Sequence, residues 1–225
     1  MTGVAERFRR LRQEIDEELH RCGRDSASLT LVGIGKGQPS EAIAAAIEAG
    51  LTDLGESYVQ EALRKFPALP AVRKNFVGHL QTNKAKTIAT AFDVVQSVDR
   101  ARAGMALSRA ALELGKELPV LMQLNISPLD RFGCPPAEAD RLAETLRGQP
   151  ALRLDGVMAI GPHTADRDTI LRAFELAAMT LARIGGSTLS IGMSGDWREA
   201  VRAGSTMLRI GEALFGLRVA KENRQ

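Results

Sequence analysis

Apolar residues at Val4, Phe8, Leu11, Ile15, Leu19 and Cys22 recur every three or four positions. That period predicts an amphipathic helix. Arg9, Arg12, Glu14, Asp16 and Glu17 fall on its outer face, and Gly23 is a natural stop. Beyond Gly23 the pattern becomes an alternation. Short apolar runs rich in Val, Ile and Leu predict strands at 29–35, 51–55, 75–77, 93–96, 118–126, 152–160, 189–191 and 206–210. Helical patterns separate them. Pro39 opens the first and Gly50 ends it, the second spans 57–66, and a third runs over 82–91. Asp99 is a predicted N-cap for a helix reaching Leu114, and Pro135-Pro136 open another that runs to about Leu146. The last predicted helices cover 166–184, 196–203 and a short stretch from Glu212.

Strict alternation of strand and helix means parallel strands with helices outside them. Eight such units close into a (β/α)8 barrel, here a single domain over 1–225: an extra N-terminal helix at 1–23 and the barrel at 29–216. An open doubly wound sheet is the rival arrangement. The G-x-G-x-x-G turn that such a sheet uses for dinucleotides is absent, because Gly33-Ile34-Gly35-Lys36-Gly37 runs on into Gln38-Pro39-Ser40.

The totals narrow the function classes. Of 225 residues 44% are hydrophobic but only 4% aromatic, so the core is built from Ala, Leu, Ile and Val. Thirty basic against 27 acidic residues give a net charge of +3 without a basic run, which offers nothing to nucleic acid. No apolar stretch approaches a membrane span. The charged residues of 1–12 do not make a signal peptide, so the expected location is cytoplasmic. Cys22 and Cys134, with His20, His79 and His163 scattered, have no metal-binding spacing.

In a barrel, chemistry sits at the C-terminal ends of the strands. That rule selects Lys36, Glu56-Ser57, His79, Ser97, Asn125, Gly161-Pro162, Ser194 and Arg209-Gly211. Lys36 ends an apolar strand between Gly35 and Gly37, on the same side as Thr30, Val32 and Ile34. Neutral lysine attacks aldehydes when its pKa is lowered, although the same placement also suits a lysine that ends a strand in solvent. The turns at Gly192-Met193-Ser194-Gly195-Asp196 and Gly204–Glu212 together suggest a phosphate site after strands seven and eight. Taken singly, Ser194 also reads as a plain N-cap and Gly211 as an ordinary turn. An aldehyde and a phosphate on one small ring point to pyridoxal 5′-phosphate. Arg209 beside its pyridine nitrogen would keep that nitrogen unprotonated, although it also reads as a salt-bridged rim residue.

These motifs resemble the YggS/PROSC family, the pyridoxal phosphate homeostasis proteins, single-barrel relatives of the N-terminal domain of alanine racemase. The resemblance rests on Val32–Lys36 with Pro39, Gly55–Glu61, Val77–Lys84, Leu121–Ser127, Gly156–Ile160, Gly192–Asp196 and Gly204–Gly211. It implies that Lys36 forms the internal aldimine. It also implies that Ser194, Thr206 and the backbone around Gly211 hold the phosphate, and that Arg209 faces the pyridine nitrogen. Ser57 and His79 are candidate contacts near the ring; His79 also suits a residue that only organises its turn. The chain departs from the family at Gly35, where serine is usual, at Ser57, where asparagine is usual, and at Arg131, often lysine. A weaker or faster-exchanging cofactor site is the expected consequence.

Two functions compete. One is a non-catalytic protein that buffers or delivers the cofactor to apo enzymes. The other is a racemase-like enzyme, which needs a second acid/base on the opposite face of the substrate. In alanine racemases that group resembles a tyrosine from a C-terminal β domain, and here the chain ends soon after the eighth strand. Tyr58 reads as a packing residue; Glu56 reads first as a rim carboxylate paired with Lys84 or Arg209, and otherwise as a proton acceptor near the imine. The binding protein, as a monomer, is the preferred expectation. A sugar-phosphate aldolase is weaker still, because Lys36 lies on strand one.

Overall fold

The computed structural model describes residues 3–127, 129 and 131–217. Within them eight parallel strands close in sequence order into a barrel. They are β1 Thr30–Ile34, β2 Asp53–Glu56, β3 Arg73–Phe76, β4 Val94–Val98, β5 Leu118–Leu124, β6 Leu152–Ala159, β7 Thr188–Ser190 and β8 Met207–Ile210. Closure is made by β8 against β1, with Val32 opposite Arg209 and Gly33 opposite Ile210. The helices are α1 Val4–Arg21, α2 Ser40–Glu48, α3 Val59–Lys65, α4 Ala85–Ala91, α5 Ala101–Glu113, α6 Ala139–Arg147, α7 Arg167–Ile184, α8 Trp197–Arg202 and α9 Glu212–Phe215. The expected barrel with one preceding helix is the fold observed. None of the described helices is long and apolar enough to cross a membrane.

Strand alternation divides the side chains between two layers. Leu31, Leu54, Val95, Val120, Val157, Leu208 and Ile210 belong to the large apolar cluster shared with the helices. Val32, Leu121, Met158 and Met207 form a separate small cluster inside the barrel, with Ile34 against it. The side that Val32 and Ile34 share is therefore the inward one. The remaining interior is polar. Arg209 donates to Ser190 Oγ at 2.7 Å, and Ser190 Oγ to Gln96 Oε1 at 2.7 Å. Gln96 Nε2 donates to Asn75 Oδ1 at 2.8 Å, and Asn75 Nδ2 to Asp53 Oδ1 at 3.1 Å. All five side chains are buried. Each passes its donor to the next, so one directional chain joins a buried cation to a buried carboxylate and leaves no link unpaired.

The extra helix is tied to the barrel by its apolar face, with Phe8, Leu11, Ile15 and Leu19 buried. It also holds α9: Arg7 donates to Leu214 O at 3.0 Å and to Phe215 O at 2.8 Å. At α5 the structure corrects the expected cap. Arg100 occupies the N-cap position without a side-chain capping bond, and Asp99 instead accepts from Arg100 at 2.8 Å.

Candidate functional site

The β1–α2 connection begins with a tight turn. Gln38 N–H donates to Gly35 O at 2.9 Å, and Gly37 has φ +71°, the left-handed conformation that the third residue of a type II turn requires. Lys36 is therefore at the tip. Its Nζ stands 4.6 Å from the centroid of the Tyr58 ring and forms no hydrogen bond or ion pair with any described residue. Lys36 also lines a cavity of about 410 Å³ together with Ile34, Gln38, Gly211, Glu212 and Gly216, among others. Lys36 and Gly211, remote in sequence, meet because β8 closes on β1.

The β7–α8 connection carries Ser194. Its Oγ accepts from Ala213 N–H at 3.2 Å and so joins this loop to α9, leaving its own O–H to donate. The amides of Ser194, Gly195 and Gly211 donate to no described residue. A Cβ at Gly195 would meet nothing within 4 Å. Asp196 holds the loop by accepting from Met193 N–H at 2.6 Å, and burial pushes its carboxyl above the usual range against that bond.

Arg209 projects inward from β8 and is 4% exposed. Its guanidinium donates to Ser190 O at 2.6 Å, Ser190 Oγ at 2.7 Å and Ala159 O at 2.8 Å. Burial pushes its pKa down to about 10, opposed by Asp196, and at neutral pH it remains a cation. The rim salt bridge considered for it is not what forms.

Three expectations are corrected. Thr206 precedes β8, at the end of the barrel opposite Lys36; its backbone carbonyl accepts from Thr30 N–H and its Oγ1 from Leu189 N–H at 2.8 Å. It is a strand-start residue and not a member of the group around Ser194 and Gly211. Tyr58 is not a packing residue: it is 54% exposed, at the N-cap of α3, with its ring beneath the Lys36 amine. Glu56 pairs with neither Lys84 nor Arg209. It lies outside the barrel wall, fully buried, with Oε1 2.9 Å from Lys65 Nζ. Burial raises its pKa and the lysine opposes that.

Ser57 and His79 stand together but not on the Lys36–Gly211 cavity. They line a neighbouring one of about 610 Å³, with Tyr58 and Lys84. Gly78 explains their proximity: a Cβ there would be 1.9 Å from Ser57 O. The His79 ring stacks on Phe132 at 3.9 Å between centroids, and its Nδ1 is 4.0 Å from Asp99. Phe132 is positioned in turn by Gln123, which donates to its carbonyl at 2.9 Å. Among the described residues no cluster of His, Cys, Asp or Glu suits a metal ion.

Sequence reasoning passed over Lys65, Glu61 and the interior polar chain. The Glu61–Lys65 spacing of four on a helix was a visible signal. So were polar residues at inward strand positions, Asp53, Asn75, Gln96 and Ser190.

The family described as "Alanine racemase, N-terminal domain" matches residues 7–219. A curated relative from Pseudomonas aeruginosa, named pyridoxal phosphate homeostasis protein, is 39% identical over 97% of each chain. The solved structure of PipY from Synechococcus elongatus, with PLP bound, is similar at 31% identity and a TM-score of 0.85, covering 95% of this chain and all of that one. Alanine racemase from Clostridium difficile shares the fold at a TM-score of 0.68 and 14% identity, over 89% of this chain and 55% of that one.

Proposed function

The chain belongs to the alanine racemase N-terminal domain family, and from that premise we propose that it holds pyridoxal 5′-phosphate at Lys36 and serves in homeostasis and delivery of that cofactor, without catalysis. The observation that carries the reading is that Lys36, whose amine has no hydrogen bond or ion pair among the described residues, lines the same cavity as Gly211. When bound, the cofactor supplies an aldehyde that condenses reversibly with amines and a phosphate that requires hydrogen-bond donors. Lys36 is the amine. The Ser194 hydroxyl and the amides of Ser194, Gly195 and Gly211 are donors without described acceptors, and they suit the phosphate. Arg209 is the cation assigned to the pyridine nitrogen. A fixed charge there disfavours protonation of the ring and weakens it as an electron sink, which supports storage over catalysis.

In this reading the partners are apo forms of cofactor-dependent enzymes, and the protein acts as a cytoplasmic monomer. The departures at Gly35 and Ser57 do not support faster cofactor exchange, because a side chain at Gly35 would point outward against Glu56 and Ile43 and Ser57 lines the neighbouring cavity. Ser57 and His79 line the neighbouring cavity with Tyr58, whose ring lies against the Lys36 amine.

The test is spectroscopic and chemical. The purified protein is loaded with pyridoxal 5′-phosphate, its visible absorption recorded, and the adduct fixed with borohydride and mapped. A pyridoxyl group on Lys36, absent from Lys36→Ala, is expected; no chromophore in the loaded wild type refutes the reading. Incubation with L-alanine in deuterated water then tests the second half. Negligible α-proton exchange is expected, and rapid exchange with racemisation overturns the non-catalytic assignment.

A further inference from the structure

The two peptide groups that flank Lys36 are both held from α3. The Gly35 carbonyl, on one side, accepts from Lys65 Nζ at 2.5 Å as well as from Gln38 N–H. The Gly37 N–H, on the other side, donates to Glu61 Oε1 at 2.7 Å. Lys65 and Glu61 are themselves paired at 2.6 Å, one helical turn apart, and Lys65 also reaches Glu56 at 2.9 Å. These peptide planes set the two backbone torsions of Lys36, so one ion cluster outside the barrel wall fixes the direction in which the Lys36 side chain leaves the turn. Gly35 has no side chain where one would collide: a Cβ would lie 2.7 Å from Glu56 Oε1 and 2.9 Å from Ile43 Cδ1.

We infer that Lys65 and Glu61 are positioning residues for Lys36, aiming its amine at the barrel mouth so that an incoming aldehyde meets this lysine in preference to others. The inference rests on the proposed cofactor chemistry at Lys36. It assigns the pair no contact with the cofactor. A preoriented amine reacts faster and more selectively than one on a loose turn. Glu61 is the informative partner because its side chain is 19% exposed at the edge of the cluster, whereas Lys65 is 10% exposed.

The experiment compares wild type, Glu61→Ala, Glu61→Gln, Lys65→Met and Lys36→Ala, each checked for native circular dichroism. Apo protein is mixed with pyridoxal 5′-phosphate, the chromophore is followed in time, and borohydride-fixed adducts are quantified at every lysine. Glu61→Ala is expected to slow chromophore formation at least tenfold and to shift adducts from Lys36 to surface lysines. Glu61→Gln keeps an oxygen for the Gly37 N–H and recovers most of the rate, which a loss of stability alone would not explain. Lys65→Met, if it folds, matches Glu61→Ala; if it does not, the two Glu61 variants decide. Native-like Glu61→Ala with wild-type rate and adduct distribution overturns the inference. A wild type without chromophore overturns the cofactor reading instead, so the two failures are distinct.

Discussion

Replacing Gln96 by leucine probes the interior of the barrel directly. Gln96 has no solvent exposure; it accepts from Ser190 Oγ at 2.7 Å and donates to Asn75 Oδ1 at 2.8 Å. Leucine matches its bulk but supplies neither group, so a hydroxyl proton and an amide oxygen are stranded where water does not reach. Each stranded group costs about 1–3 kcal/mol, together about 2–6 kcal/mol. The apolar side chain returns about 1.5 kcal/mol through its own burial. The net expectation for Gln96→Leu is a destabilisation of about 0.5–4.5 kcal/mol, and in a chain of this size each kcal/mol lowers Tm by roughly 2–4 °C. Urea unfolding followed by circular dichroism gives the free energy. A cycle with Asn75→Leu tests the mechanism: once Gln96 has gone, the Asn75 oxygen is already unpaired, so the second change costs less than it does alone. Gln81→Leu, at an exposed glutamine, is the control and should stay within about 0.5 kcal/mol. Wild-type stability in Gln96→Leu, or strict additivity in the cycle, refutes the view that this chain of donors is a coupled unit.

Two further outcomes follow from local geometry. Gly78→Ala places a methyl 1.9 Å from the Ser57 carbonyl, a backbone atom that cannot swing aside, and is expected to destabilise by about 1–3 kcal/mol in the same urea assay; a change within 0.5 kcal/mol refutes the close approach. Iodoacetamide at pH 8 is expected to modify exposed Cys22 and spare Cys134, which is buried and whose thiol is pushed up to about 11 mainly by that burial; peptide mapping showing equal labelling in the native state refutes this.

The chain's hydrophobic pattern determined a great deal by itself. Most of the buried runs are bounded by glycine or proline, and all eight strands overlap the runs that predicted them. The period-two rule also put Val32, Ile34 and Lys36 on one side of the strand; that Val32 and Ile34 face inward is shown by the structure. The predicted strand at 206–210 already set Thr206 at its start, and reading the segment as a single motif is what joined it to Gly211. Thr206 and Gly211 lie five residues apart around one four-residue strand, so they sit at opposite ends of the barrel although both belong to a single sequence motif.

Pairing was likewise decided only by tertiary structure. Glu56 could have met any nearby cation; it meets Lys65 because α3 folds back over the outer face of β2, a relation that spacing along the chain does not contain. The interior chain from Arg209 to Asp53 draws on β8, β7, β4, β3 and β2, strands whose order around the barrel exists only after closure. Sequence thus specified the elements and which residues share a face, because burial acts on local patterns of apolar residues. Closure specified the site, because bringing β8 against β1 is what puts Gly211 beside Lys36.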